Sequence, residues 1–117
     1  MVDNYREKGI ICGDNALEIR HYYLWGSKKV PYSSIANVQR VTLTALKGKA
    51  RIWGTANMEY WANLDTNRMS KKEGLVIDTG KRVKAFVTPD DVDRVEALLR
   101  ERAHLGPAGP TIPAPFL

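Results

Sequence analysis

The strongest constraint in this chain is a change of hydrophobic period. From about residue 8 to residue 88 apolar residues mostly alternate with polar ones, whereas from residue 92 to residue 103 they recur every three or four positions. A period of two puts one face of a strand in a core, and a period near 3.6 gives a helix one apolar stripe. Such a chain folds as a series of strands followed by one helix. The clearest strand is Arg82-Val-Lys-Ala-Phe-Val-Thr88, where Val83, Ala85 and Val87 share a face and Arg82, Lys84 and Phe86 take the other. It follows Gly74-Leu-Val-Ile-Asp-Thr79 through Gly80-Lys81, a hairpin signal because glycine reaches the positive φ of tight turns.

Turns at Gly13-Asp14-Asn15 and Gly26-Ser27 divide the first third into strands near residues 8–12, 16–25 and 28–32. In the long middle strand Leu17, Ile19 and His21 are expected on one face. A fourth strand covers about 36–44, where Val38 is out of phase with Val41 and Leu43. One extra residue near Gln39 or Arg40 would restore the phase, so a bulge or bend is expected there. Met58, Tyr60, Ala62 and Leu64 alternate with Glu59, Trp61 and Asn63 in a fifth. The count reaches seven strands of an antiparallel sheet. Thr88-Pro89-Asp90-Asp91 offers an N-cap hydroxyl, a proline for the first helical position and acids for the positive helix end, which predicts a helix starting there. Its stripe is Val92, Val95, Leu98, Leu99 and Ala103. Asp90, Asp91 and Asp93 are read as helix-start acids rather than paired catalytic carboxylates.

Composition narrows the chemistry. The 117 residues, 44% apolar and 26% charged, suit one globular domain. No uncharged run approaches the roughly 20 apolar residues of a membrane-spanning helix. The charged segment Met1-Val-Asp-Asn-Tyr-Arg-Glu-Lys lacks the apolar core of a secretory signal, so a cytoplasmic location is expected, including the inner membrane face. Residues 106–117 hold four of the six prolines and no charge. A domain over 1–104 and an extended, proline-rich tail over 105–117 are therefore expected. A lone cysteine, Cys12, excludes an internal disulfide and a multi-cysteine zinc site. His21 and His104 make no metal spacing, and neither Gly-x-x-x-x-Gly-Lys-[Ser/Thr] nor Gly-x-Gly-x-x-Gly occurs. No catalytic residue, metal or cofactor is assigned, and the chain is read as a non-enzyme.

Seven strands followed by one C-terminal amphipathic helix is the element order of the pleckstrin-homology superfold, a bent antiparallel barrel plugged by its helix. Gly9-Ile10, Leu17-Glu18-Ile19-Arg20 and Val30-Pro31-Tyr32-Ser33-Ser34-Ile35-Ala36-Asn37-Val38 resemble the bacterial pleckstrin-homology-like family. So do Trp53-Gly54-Thr55, Leu75-Val76-Ile77 and Val87-Thr88-Pro89-Asp90-Asp91. The resemblance covers about residues 8–103 and implies a seven-stranded barrel capped by the helix, in a family most of whose members have no assigned activity. Relatives that bind phosphoinositides cluster Lys and Arg at the first hairpin. Here that turn is Cys12-Gly13-Asp14-Asn15, short and acidic.

The net charge of +5 is unevenly spread: residues 45–88 carry nine Lys/Arg against four Asp/Glu, and residues 89–104 three against five. In Leu46-Lys-Gly-Lys-Ala-Arg-Ile-Trp53 the cations Lys47, Lys49 and Arg51 alternate just before Trp53, and Lys71 and Lys72 extend the row if their loop lies nearby. Cations beside an amphipathic aromatic ring suit an anionic membrane or a phosphate backbone. Trp25, Trp61 and Phe86 sit beside apolar neighbours, so an outward aromatic belt hidden in a homo-oligomer is expected. The expectation is a self-associating binding or scaffold module with a basic edge for a protein partner or anionic membrane. A single-stranded nucleic-acid-binding barrel is the alternative, with the aromatics as stacking platforms.

Overall fold

The computed structural model describes residues 4–23, 26–43, 54–56, 60–62 and 71–113. Strands β1 (Tyr5–Arg6), β2 (Ile10–Cys12), β3 (Ala16–Tyr23) and β4 (Gly26–Pro31) pair in sequence order as an antiparallel sheet. A 3-10 turn at Tyr32–Ser34 leads to β5 (Asn37–Thr42), β6 (Gly54–Ala56), β7 (Tyr60–Ala62), β8 (Glu73–Asp78) and β9 (Lys84–Val87). Helix α1 (Val92–Arg102) follows, then a short strand β10 (Ile112–Pro113). The second sheet runs β10-β5-β8-β9-β7-β6. The chain is thus mainly β; among the described residues it has one helix, near the C-terminal end, and neither sheet closes on itself.

The apolar positions of both sheets meet under the helix. Ile10, Cys12, Leu17, Ile19 and Val30 from the first sheet pack with Val38, Leu75, Ile77, Ala85 and Val87 from the second, and with Val95, Leu98 and Leu99 of α1. Burying each large aliphatic contributes about 1.5–3 kcal/mol, which is why the stripe of α1 seats there. A second cluster, Val41, Leu43, Ala62, Val76 and Phe86, lies on the opposite phase of the same strands. Gly74 permits the β8–β9 contact: a Cβ there would come within 2.8 Å of the Val87 carbonyl and of the Phe86 ring.

Several sequence expectations change. β5 pairs with β8 without interruption from Asn37↔Asp78 to Thr42↔Glu73, so there is no bulge at Gln39 or Arg40. The phase of Val38 differs from that of Val41 because β5 is buried on both faces, one in each cluster. The irregularity falls instead in β3, where Arg20, His21 and Tyr22 lie opposite the single residue Ser27. His21 adopts φ 58°, and Tyr22 takes the inward position expected of His21. The second sheet is not wholly antiparallel, since β7 runs parallel to β9 and β10 to β5. The β8–β9 hairpin sits between β5 and β7, so β7 meets β9 on its outer side. Helix α1 begins later than expected: Asp91 is its N-cap, accepting from the Arg94 amide at 3.1 Å. Pro89 keeps the preceding Thr88 extended, and Thr88 is buried just beyond β9 rather than capping. Phe86 does not join an outward belt, being fully buried in the second cluster.

Candidate functional site

The basic row expected from the sequence divides. Lys47, Lys49, Arg51 and Trp53 lie outside the described residues. Lys71 is described and is engaged within the fold: its Nζ donates to the Thr88 carbonyl at 2.6 Å and pairs with Asp90 at 2.9 Å. Its side chain is only 15% exposed, so it fastens the strand-to-helix corner. Lys72 is exposed, while its carbonyl accepts from the Leu43 amide at 2.8 Å. Neighbours on an extended segment point to opposite sides, and this separates the two lysines.

Lys28, on β4, places its Nζ 4.9 Å from the centre of the Tyr22 ring, a cation–π arrangement. Burial, and then the positive charge of Lys81, push the Lys28 ammonium below the usual lysine range. Lys81 and Arg82 are exposed in the turn between β8 and β9. No ion pair reaches Lys28 or Lys81 among the described residues.

The outer face of the second sheet carries a half-open cleft of about 250 Å³. Val41, Val76, Tyr60 and Ile112 form its apolar part, and Asn37, Gln39, Asp78 and Lys84 its polar rim. The Lys84 ammonium stands 5.8 Å from the Tyr60 ring centre. One wall comes from the described part of the proline-rich tail, which docks on its own chain. Ile112 and Pro113 pair with Val41 and Thr42, and Gln39 Nε2 donates to the Pro110 carbonyl at 2.9 Å.

The remaining polar clusters support the fold. Arg40 projects from β5 toward α1, where Nε donates to Glu96 at 3.0 Å and Nη2 pairs with Asp93 at 2.6 Å and Glu96 at 2.8 Å. Its Nη1 lies 3.4 Å from Glu73. Glu96 is nearly buried, and Arg100 Nε approaches its other oxygen at 3.5 Å. Arg100 also donates to the Val38 carbonyl. At the helix start, the Tyr5 hydroxyl donates to Glu7, and Glu7 accepts from the Asp90 amide, both at 2.9 Å. Burial is the main cause holding the Glu7 carboxyl above its ordinary range, with the two hydrogen bonds opposing it. The acids at 90, 91 and 93 thus serve an ion pair with Lys71, the helix cap and the Arg40 network.

Cys12 is fully buried, and loss of solvent pushes its thiol up to about 11, far from a reactive thiolate. His21 and His104 both occupy positive-φ positions, one in the β3 irregularity and one just past α1. Among the described residues no three His, Cys, Asp or Glu side chains converge as a metal site, and no helix is long and apolar enough to cross a membrane. Comparison with protein-family models, with curated proteins and with solved structures finds no match.

Proposed function

We propose that this chain is a non-catalytic, self-associating binding module of pleckstrin-homology type, whose basic edge docks on an anionic membrane or an acidic protein face. The observation that carries the reading is the excess of cations in residues 45–88, nine Lys/Arg against four Asp/Glu, with Lys81 and Arg82 exposed in the β8–β9 turn. Lys and Arg side chains near a polyanion gain Coulomb energy that salt screens. The alternating Lys47, Lys49 and Arg51 beside Trp53 belong to that excess, each worth about 1 kcal/mol near anionic lipid. The strands-then-helix order, with α1 seated on the core between the sheets, supports the pleckstrin-homology-type reading.

Co-sedimentation with phosphatidylserine vesicles, against phosphatidylcholine vesicles as control, tests the membrane arm. Binding to the anionic vesicles alone is expected, weakening as salt rises and again in Lys28→Glu, Lys81→Glu and the triple Lys47, Lys49 and Arg51 to Ala variant. Absence of binding at low salt removes the membrane arm. Tighter binding of a single-stranded oligonucleotide, with quenched Trp emission, moves the same surface to nucleic acid.

A further inference from the structure

The tail is attached to the body at two places separated by a short connector. Near α1, Arg100 Nη1 donates to the Gly106 carbonyl at 2.9 Å. On the second sheet, Gln39 holds the Pro110 carbonyl, Thr42 Oγ1 donates to the Ile112 carbonyl at 3.4 Å, and Ile112 pairs with Val41. Between them lie Ala108 and Gly109, both exposed, and a Cβ at Gly109 would meet open space. The connector is Gly106-Pro107-Ala108-Gly109-Pro110. Its glycines pivot freely, and its prolines favour an extended path.

We propose that the tail exchanges between two copies of this chain, so that β10 of each copy occupies the β5 edge and cleft wall of the other. The occupant is identified by the seat itself, which is already filled by this chain's own uncharged Thr111-Ile112-Pro113. Every contact of that segment is the same whether it comes from its own body or from a neighbour's. Folding the tail back on its own body closes a loop, and pairing with a second copy releases that loop at the cost of association, so the exchange grows with concentration. The exchange is reciprocal, so one symmetric pair completes both seats and leaves no free β5 edge to recruit further chains. Ile112 of one copy then completes the cleft formed by Val41, Val76 and Tyr60 of the other. The proposal rests on the self-association in the reading above and names its mechanism.

The experiment uses the full chain throughout. Light scattering after size exclusion is expected to give twice the monomer mass at high concentration, and Ile112→Asp should return it to the monomer mass. Ile112 is 39% exposed, so that variant should keep its fold, checked by circular dichroism. In the double variant Thr42→Cys with Pro113→Cys, oxidation should link two chains, whereas a tail closed on its own body gives a cross-linked monomer. Cys12 is fully buried and takes no part. A dimer that survives Ile112→Asp, with only cross-linked monomer, overturns the exchange while leaving self-association in place. A monomer at every concentration overturns both.

Discussion

A single hydrogen atom in place of a side chain decides the approach of β9 to β8. The space a methyl group would take at Gly74 is filled by the Val87 carbonyl, which belongs to a paired strand and has nowhere to move. Gly74→Ala should lower stability by about 1–3 kcal/mol, the usual cost of overpacking, measured as a lower urea midpoint. At Glu7 the effect depends on pH. Its folded carboxyl is held above the ordinary glutamate value, chiefly by burial, so folding favours the protonated form. The stability this contributes is complete below the ordinary glutamate pKa and is lost as pH rises through the raised folded value. Glu7→Gln should therefore flatten the fall in melting temperature across that window, with the Gln carbonyl able to accept from the Asp90 amide. A steeper fall in the variant would contradict this.

Helix α1 is held by two kinds of interaction. Val95 and Leu99 are fully buried in the first core, and the periodicity identifying them was plain in the sequence. The Arg40–Glu96 link was not, because nothing in the alternation around residue 40 marks an arginine aimed at a helix more than 50 positions later. The same alternation suggested a bulge at that spot. A strand with apolar residues on both faces presents two superimposed phases, and only the position of the second cluster separates them. Removing Arg40 strands the nearly buried Glu96 carboxylate. Arg40→Met should cost roughly 3 kcal/mol, toward the low end for a broken buried pair because Arg100 still approaches Glu96. Adding Glu96→Leu should recover most of that loss in chemical denaturation. A double variant no more stable than Arg40→Met would show that the ion pair itself, rather than the stranded charge, carries the stability.

Across the whole molecule, charge placement distinguishes scaffold from surface. Lys71 and Arg40 are cations neutralised within the fold, whereas no ion pair reaches Lys28 or Lys81 among the described residues. Burial disfavours the charged Lys28 ammonium, so Lys28→Met should raise the melting temperature slightly while weakening binding to anionic vesicles. A variant that loses both stability and binding would mean that Lys28 serves the fold through its contact with the Tyr22 ring. Sequence reasoning placed the basic edge at residues 47–53 and 71–72 because runs of neighbouring cations are visible along a chain. A cation set over the ring of a neighbouring strand, as Lys28 is over Tyr22, is not.

The sequence by itself determined the mainly β character, most of the described strand positions and the late helix with its buried stripe. All of these follow from local periodicity, turn chemistry and backbone restriction, which act over a few residues. Tertiary structure decided the parallel pairing of β7 with β9, the second core on the far side of β5, the helix cap at Asp91, the partners of each charged side chain and the docking of the tail beside β5. Those depend on which distant segments are brought within a few ångströms of one another, and that is set by how two sheets and a helix bury their apolar faces together.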